Sequence, residues 1–488
     1  MFKSNITRNY IYSVLYQILI IVVPLITAPY LTRIMGATNL GVYSYTNSVA
    51  YYFYLFAMLG ISNYGNRTIA SVRDDKSQRS NIFCELIYMQ IFIGILVSVM
   101  YVLYLFNLAL SKDEYFLPSI IWIMYVISGA IDITWFFWGI EKFSITVQRN
   151  IIIKILITIG VFIFVKDAND LLIYIVLNAG GFFVSAVILW IQVPRYITFV
   201  EIKLKDAFKH FKSNLVLFIP VIAVSIYTVM DKVMLGNYSS MDQLGFYDNI
   251  QKIMTLPTGI ITALGTVMLP RISNLLAKGN RDYAISFISM AMQFSNFFSI
   301  ALCLGLAAIA PCFTTVYFGL EFSETSTMME LFCITIIFIS WANVIRTQFL
   351  IPSGNDKAYI ISVLVGALSN FIINSLLISK LGAIGAVWGT ICAEFVVAFL
   401  QTIFVKKELP IKAYLRESVV FIFPGIMMFI SVRIVFRHLG LSVLSLIIQI
   451  IVGILVYLLI GIPILISTRS LLSARFQTAF KRNIYKDI

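Results

Sequence analysis

Apolar stretches long enough to cross a lipid bilayer recur from one end of this 488-residue chain to the other. A transmembrane helix needs about 20 predominantly apolar residues, because the hydrocarbon layer is about 30 Å thick. The sequence predicts about fourteen such helices, over residues 10–31, 41–61, 82–106, 116–138, 151–165, 171–193, 215–235, 250–269, 285–310, 328–350, 359–378, 381–405, 419–436 and 441–466. Because 60% of the residues are hydrophobic and only 12% are charged, a water-soluble core could not bury this apolar surface. The chain is therefore predicted to be an all-α polytopic membrane protein.

The first half of the chain is partly repeated in the second half. The residues Leu-Gly-Val-Tyr at 40–43 match Leu-Gly-Phe-Tyr at 244–247 at an offset of 204, and Arg67 and Arg271 are separated by the same 204 residues. Matches in the same order at one offset indicate a duplicated unit. Since each unit contains an even number of helices, the two copies should be parallel and related by an axis along the membrane normal.

The duplication predicts two similar six-helix lobes around a central cavity. The amino-terminal lobe, together with a basic cytoplasmic connector, is predicted over residues 1–205, and the second lobe over residues 206–410. Residues 411–488 have no counterpart in the repeat and are predicted to form an extra two-helix unit with a cytoplasmic tail.

Basic residues are concentrated in alternate loops between the predicted helices. If the amino terminus is cytoplasmic, the cytoplasmic segments hold 26 of the 36 lysines and arginines, whereas the outer segments hold 5. This positive-inside pattern predicts a protein of the bacterial cytoplasmic (inner) membrane with both termini in the cytoplasm. The net charge of +13 is thereby explained by helix orientation and by contact with anionic membrane lipids, so no nucleic-acid partner is expected.

Basic side chains inside the predicted helices mark a candidate substrate site. A charge near the bilayer centre costs roughly 2.5–3.5 kcal/mol, so it needs a partner or a wet cavity. The candidate substrate-binding residues are Lys154, Lys232, Lys252, Arg346 and Arg33. Their predominance over acidic residues is expected of a cavity that receives an anionic ligand. For Arg33 and Lys252, snorkelling toward lipid headgroups is the simpler explanation.

Acidic and amide side chains in the same helices are candidates for binding a coupling ion or for forming ion pairs. They are Asp231, Glu394, Asp132, Asn370 and Asn374. Asp132 or Glu394 could neutralise one of the deeper cations, Lys154 or Arg346. A carboxylate in a low dielectric could instead exchange a proton, or join amide oxygens around Na⁺. Asn370 and Asn374 lie four residues apart on one helical face, and the alternative for them is hydrogen bonding between helices.

The cysteines and the clustered aromatic residues are assigned structural roles. The five cysteines lie in or beside apolar stretches without CxxC spacing, so neither a metal site nor a disulfide framework is expected. No cofactor is expected apart from a coupling ion, Na⁺ or H⁺. The run from Trp135 to Trp138 ends a predicted helix, which is the position of an interfacial aromatic belt. The alternative for some of the clustered aromatic residues is stacking on sugar rings within the cavity.

Several longer segments of the sequence carry a family resemblance. They are PLITAPYLTRIMG, LGVYSYTNSVAYYF, LGISNYGNRTIA, FFWGIEKFSITVQRN, MDKVMLG with LGFYDN and VMLPRIS, and RTQFLIPSGNDK with GAVWGTICAE. Over about residues 5–401 the chain resembles the Wzx-type oligosaccharide flippases, which are members of the multidrug/oligosaccharidyl-lipid/polysaccharide (MOP) exporter superfamily.

The resemblance implies a function as well as a fold. The implied substrate is an oligosaccharide repeat unit on a polyprenyl diphosphate, moved by alternating access from the cytoplasmic to the outer leaflet for O-antigen, capsule or similar assembly. A polysaccharide polymerase and glycosyltransferases are the implied protein partners. Family members place basic residues in the central cavity, which agrees with Lys154, Lys232, Lys252 and Arg346 by location.

Two other functions are alternatives to that of a flippase. An ion-coupled multidrug exporter of the same architecture should have an acidic cavity for cationic drugs. A membrane enzyme acting on lipid-linked sugars is disfavoured because the only two histidines, His210 and His438, are not in mid-span and no outer loop is long enough for a catalytic domain. The sequence also lacks the G-x-x-x-x-G-K-[ST] motif of an ATP-driven pump. A transporter is therefore expected, and not an enzyme.

Overall fold

The computed structural model describes residues 2–111 and 114–484, and all the regular secondary structure in these residues is helical. The α-helices are α1 (Phe2–Met58), α2 (Ile61–Ser71), α3 (Lys76–Leu110), α4 (Phe116–Ile121), α5 (Ile123–Ile131), α6 (Thr134–Gly139), α7 (Phe143–Phe164), α8 (Leu171–Gln192), α9 (Leu204–Phe208), α10 (Phe211–Tyr238), α11 (Met241–Ala277), α12 (Arg281–Phe313), α13 (Thr325–Phe332), α14 (Ile334–Ile345), α15 (Asp356–Leu381), α16 (Ala383–Val405), α17 (Ile411–Leu439) and α18 (Val443–Ile484). The predicted all-α class is confirmed. Both chain termini, predicted to be cytoplasmic, lie outside the described residues.

Eleven helical segments in the described part of the chain are long and apolar enough to cross a membrane. They overlap eleven of the predicted stretches, and the other three predicted stretches lie in α1 and α11, except that the stretch 41–61 runs past the end of α1 at Met58. α1 holds two of them because its backbone bends at Gly36, where φ is 71° and ψ is 175°. Only glycine adopts this conformation readily, so Gly36 separates the first two predicted spans without a loop.

Packing divides the chain into two compact units, Met1–Gly245 (unit 1) and Phe246–Ile488 (unit 2). In unit 1, one core cluster is built around Phe83, Trp135 and Phe136, and a second around Tyr101 and Trp122. The boundaries predicted at residues 205 and 410 follow the sequence repeat and stay a prediction.

The predicted interfacial role of the run from Trp135 to Trp138 is wrong for three of its four residues. Trp135, Phe136 and Phe137 are buried in the core of unit 1, and only Trp138 is exposed, at 39%. The ring of Phe83 stacks on that of Trp135 with centroids 5.7 Å apart. α6, which carries the run, packs inward against α2 because Gly139 leaves room there: a Cβ on Gly139 would lie 2.7 Å from the Ile69 side chain.

In unit 2, the last two helices pack on α12. The core there contains Phe297 from α12, Phe421 and Met428 from α17, and Tyr457 from α18. The Tyr457 hydroxyl donates a 2.7 Å hydrogen bond to the carbonyl of Phe297. An apolar cavity of about 440 Å³ lies between these three helices. The pair of helices outside the sequence repeat therefore forms part of the core of unit 2.

Candidate functional site

A transmembrane helix of unit 1 is broken at Asp132. α5 ends at Ile131 and α6 begins at Thr134, while Asp132 has an extended backbone with ψ of 114°. The Asp132 carboxylate accepts hydrogen bonds from the backbone N–H of Thr134 at 2.8 Å and from its hydroxyl at 2.5 Å. Its other oxygen accepts a longer hydrogen bond from the Tyr54 hydroxyl, at 3.4 Å. Asp132 thus caps the second half of the broken helix.

Gln90 of α3 satisfies two of the backbone carbonyls at the break, and the indole N–H of Trp190 donates to a third, that of Ile131, at 2.8 Å. Its amide nitrogen donates to the carbonyls of Gly129 at 2.8 Å and Asp132 at 2.9 Å, and its amide oxygen accepts from the indole N–H of Trp135 at 3.0 Å. Gln90 is only 1% exposed. Irregular backbone is tolerated at membrane depth only where protein groups or water satisfy it. Gln90 and Trp190 provide those hydrogen bonds.

Arg149 brings a buried cation to the same region. Its guanidinium donates to the Ser185 carbonyl at 2.9 Å, to the Asn150 side-chain oxygen at 2.7 Å and 3.0 Å, and more weakly to the Thr134 hydroxyl at 3.4 Å. Arg149 also interacts electrostatically with Asp132. The guanidinium therefore links α7 to α8 and to the broken helix, inside the polar core of unit 1.

Lys154, one turn further along α7, lines a cavity of about 240 Å³ in unit 1. The cavity lies between α1, α7 and α8, and its polar lining consists of Tyr16, Asn150, Lys154, Asn178 and Ser185. Lys154 is half-buried. The rest of the lining is apolar and includes Ile153, Ile157 and Phe182. An ammonium group in a cavity that also holds amide and hydroxyl groups can bind an anion and, beside it, a group rich in hydroxyls. We name this space the Lys154 cavity.

The other predicted site residues of unit 1 lie elsewhere. Arg33 is exposed, and its guanidinium donates to the carbonyl of Pro29 in its own helix at 3.0 Å. Asp231 of α10 is fully buried and interacts electrostatically with Tyr52, while Lys232 beside it is half-buried. Neither Arg33 nor the pair at 231–232 lines the Lys154 cavity.

The cations predicted in unit 2 have protein partners. Lys252 forms an ion pair with Asp248, one helical turn earlier, with 2.6 Å between nitrogen and oxygen. Arg346 donates to the side-chain oxygen of Asn343 at 2.9 Å, and its guanidinium carbon lies 5.7 Å from the centre of the Tyr359 ring. Arg346 and Glu394 interact electrostatically. Arg346 also begins a short π-helix, Arg346–Leu350, a feature often found at functional sites.

Asn370 and Asn374 form a fully buried polar pair in α15. The amide nitrogen of Asn374 donates to the side-chain oxygen of Asn370 at 3.1 Å. On α16, the absence of a side chain at Gly389 makes room, because a Cβ there would lie 1.9 Å from the Asn374 side-chain oxygen. The hydroxyl of the next residue, Thr390, lies 3.1 Å from that of Tyr247. The amide pair therefore lies where α15 packs on α16, and the hydroxyl pair joins α16 to α11.

A comparison with protein families decides what kind of protein carries these features. The family model described as "Polysaccharide biosynthesis protein" matches residues 6–276, more than half of the chain. The chain belongs to this family. It is therefore a polysaccharide biosynthesis protein that crosses the membrane several times.

Curated relatives of this polysaccharide biosynthesis protein agree with the family match. A protein of Shigella dysenteriae named as an O-antigen transporter is 24% identical over 382 residues, which cover 78% of this chain and 94% of the relative. Another, from Escherichia coli (strain K12), is 23% identical over 411 residues, covering 83% of this chain and 98% of the relative. The predicted resemblance to the Wzx-type proteins is confirmed.

Solved structures establish the fold of the polysaccharide biosynthesis protein. The lipid II flippase MurJ in an inward closed conformation superposes with a TM-score of 0.71, at 19% identity, over 96% of this chain and 100% of MurJ. An inward-facing multidrug resistance MATE family transporter of the MOP superfamily gives a TM-score of 0.55 at 13% identity, over 81% of this chain and 99% of that protein. The fold is that of the MOP superfamily.

Gln90 and Arg149 were not among the residues that the sequence proposed for the site. Gln90 could have been identified from the sequence, because it is an amide in the middle of an apolar helix. Burying its side chain in lipid without hydrogen bonds costs as much free energy as burying Asn370 or Asn374 in the same way. Arg149 stands just before an apolar stretch and was assigned to a cytoplasmic segment, whereas it is 9% exposed. Among the described residues, no three His, Cys, Asp or Glu side chains are grouped so as to hold a metal ion.

Proposed function

We propose that this protein is a flippase for polyprenyl-diphosphate-linked oligosaccharides, which it moves from the cytoplasmic to the outer leaflet for assembly of a surface polysaccharide such as O-antigen or capsule. The family match, the relatives named as O-antigen transporters and the fold shared with a lipid II flippase support this proposal. The observation that carries it is the Lys154 cavity, in which a lysine and several amide and hydroxyl groups line a space among apolar helices.

The chemistry of the substrate explains why such a cavity is needed. A sugar diphosphate cannot enter hydrocarbon without losing its hydration, whereas the polyprenyl tail never has to leave the lipid. In the proposed complex, Lys154 binds the diphosphate and the side chains of Asn150, Asn178 and Ser185 replace water around the sugar hydroxyls. The two repeated lobes rock about the bound head group and expose it to each side of the membrane in turn.

The basic residues are not equivalent in this proposal. Lys252 and Arg346 already have partners in Asp248 and Asn343, so a phosphate would have to compete with those contacts. Arg33 is exposed and bound to its own helix, which favours snorkelling. We rank Lys154 first as a diphosphate ligand because it lines a cavity together with amide and hydroxyl groups, with Lys232, Lys252 and Arg346 as secondary contacts.

Orientation and coupling complete the proposal. The positive-inside pattern supports cytoplasmic termini, so that glycosyltransferases supply the substrate from inside and a polymerase consumes it outside. We also propose coupling to Na⁺ or H⁺. The buried oxygens of Asn370, Asn374 and Thr390 are of the type that binds Na⁺, and Glu394 is a mid-helix carboxylate that could exchange a proton.

Reconstitution into liposomes with a polyprenyl-diphosphate-linked oligosaccharide tests the proposal. Lys154→Ala should slow flipping by about 10- to 100-fold, because a hydrogen bond to a charged group contributes about 1.5–3 kcal/mol. Lys166→Ala, which removes an exposed lysine just after the same helix, is the matched control and should leave the rate unchanged. Replacing sodium by choline, and then collapsing the pH gradient, identifies the coupling ion.

Other results would contradict the proposal. Wild-type rates in the single alanine variants of Lys154, Lys232, Lys252 and Arg346 would exclude cationic binding of the head group. Energised efflux of cationic drugs would favour the multidrug exporter, and a chemically altered sugar product would favour the enzyme.

A further inference from the structure

The two glycines of the repeated tetrapeptide make reciprocal contacts within unit 1. A Cβ on Gly41 would lie 1.9 Å from the carbonyl oxygen of Met241, and a Cβ on Gly245 would lie 2.1 Å from the carbonyl oxygen of Ala37. Ala37 and Met241 are separated by 204 residues, as are Gly41 and Gly245. Each copy of the repeat therefore places its glycine against the backbone of the other copy at the equivalent position.

The next pair of residues locates the symmetry axis. The Thr38 hydroxyl donates a hydrogen bond to the carboxylate of Asp242, and these residues are again 204 apart in the sequence. When two copies are related by a two-fold rotation, a residue can contact its own counterpart only close to the axis. The six residues Ala37, Thr38, Gly41, Met241, Asp242 and Gly245 therefore surround the axis of the repeat. We name them the glycine seam.

The glycine seam is closely packed. Ala37 is fully buried, and Leu40 and Leu244, the repeated leucines beside it, are 2% and 0% exposed. Tyr45 also packs closely on Gly236 and Asn237. Its hydroxyl donates to the Asn237 side chain at 2.9 Å, and its ring leaves no room for a Cβ on Gly236. The first residues of the seam come directly after the bend of α1 at Gly36. The second half of α1 runs from there toward α2 and the basic loop that follows α2, so the seam and this loop lie at opposite ends of that half-helix. In the proposed orientation the end that carries the seam faces outward.

We propose that the glycine seam is the outer gate, which is closed in this structure and separates to release the head group into the outer leaflet. This inference rests on the proposed function. Backbone packed on backbone through glycine can part without repacking interlocked side chains, and water replaces the hydrogen bond between Thr38 and Asp242 when they separate. Because the seam lies on the repeat axis, rocking of the two copies moves its halves apart symmetrically.

A reversible cross-link tests whether the seam must open. Thr38→Cys and Asp242→Cys are introduced together after the five native cysteines have been replaced, since these two side chains are in direct contact and a disulfide joins Cβ atoms roughly 3.5–4.5 Å apart. Oxidation should abolish flipping in liposomes, and reduction should restore it. If the fully cross-linked protein flips substrate at the rate of the reduced protein, the seam is not the gate.

A second measurement needs no transport. Gly41→Ala forces a methyl group against the Met241 carbonyl, so it should increase the rate at which a cysteine at Ala37 reacts with a membrane-impermeant maleimide. We expect an increase of about tenfold, the ratio that corresponds to 1.4 kcal/mol against the closed state. Gly259→Ala is the matched control in α11, because nothing lies within 4 Å of its added Cβ. Equal labelling rates in Gly41→Ala and Gly259→Ala would contradict the proposal that the seam is a gate.

The two readouts separate failure of the gate from failure of the proposed function. If Gly41→Ala accelerates labelling but the reduced protein flips no lipid-linked oligosaccharide, the seam opens and the substrate assignment is wrong. If the reduced protein flips the substrate but neither cross-linking nor Gly41→Ala has an effect, the flippase stands and the gate lies elsewhere.

Discussion

Gln90 is the residue that makes the broken helix at Asp132 compatible with a membrane interior. Replacing it by leucine, which has a similar volume, should leave the carbonyls of Gly129 and Asp132 and the indole N–H of Trp135 without their hydrogen bonds. Each buried group left unpaired costs about 1–3 kcal/mol. Gln90→Leu should therefore destabilise the protein by several kcal/mol, which thermal unfolding in detergent would report as a lower midpoint.

Gln78→Leu in the same helix provides the control for Gln90, because that glutamine is exposed in the first turn of α3. Its unfolding midpoint should stay close to the wild-type value. An unchanged midpoint in Gln90→Leu would mean that water or a shifted side chain satisfies the break, and that the amide is dispensable.

For single residues, the sequence shows which charged side chains lie inside the apolar helices, but it rarely shows which side chains they contact. Lys154 was proposed because it is a deep cation, and it lines a cavity together with polar and apolar side chains, while its role in binding stays a prediction. The pairing of Lys252 with Asp248 could have been predicted from their spacing of one helical turn. The partners of Arg149 and Gln90 could not, since they come from helices distant in sequence whose packing no local pattern specifies.

The part of the connector next to α10 is attached through one buried carboxylate. Glu85 of α3 accepts a hydrogen bond from Lys209 at 2.6 Å, and its second oxygen lies 2.8 Å from a ring nitrogen of His210. The other ring nitrogen of His210 lies 2.8 Å from the Tyr64 hydroxyl. The connector predicted as a basic cytoplasmic segment is thus fastened to α2 and α3.

Glu85→Gln should loosen this attachment without unfolding the helices, because the amide cannot pair electrostatically with Lys209. We expect amide hydrogen exchange over residues 204–214 to accelerate by about tenfold, corresponding to 1.4 kcal/mol of local stability, with little change in α12 to α16. Glu201→Gln changes an exposed acid of the same connector and should have no such effect. Identical exchange in the two variants would show that packing alone holds the connector.

The positions of helices could be predicted from the sequence where hydropathy alone determines them. They were harder to predict where contacts with other helices determine where a helix breaks. The stretch predicted over 116–138 is one apolar run, yet it forms α4, α5 and α6. Its break at Asp132 depends on Gln90, a residue in another helix. The same dependence explains Trp135 to Phe137, since an aromatic run after a helix break turns inward to fill the core, whereas one at the end of a continuous helix would reach the interface.

For the whole molecule, the sequence repeat predicts which residues of the two copies are equivalent, and secondary structure alone does not show this. The tetrapeptides at 40–43 and 244–247 indicated a duplication, and their glycines meet in reciprocal contacts. A duplication alone could not predict that the contact would be made by these residues, because the packing of the two copies depends on side chains along the entire interface. The repeat identifies equivalent residues, and the structure identifies those close to the axis.

Orientation in the membrane is a prediction for the whole molecule, and the two ends of α11 test it. The loop before α11 has no lysine or arginine between residues 237 and 241, whereas the end of α11 and the following loop contain Arg271, Lys278 and Arg281. Positive charges are retained in the cytoplasm, so the first loop should face outward and the second inward. In intact cells, an impermeant maleimide should label Ser240→Cys, and it should label Asn280→Cys only after permeabilisation. Because one helix joins these positions, each serves as the control for the other. The reverse pattern would place the glycine seam at the cytoplasmic side and make it an entry gate.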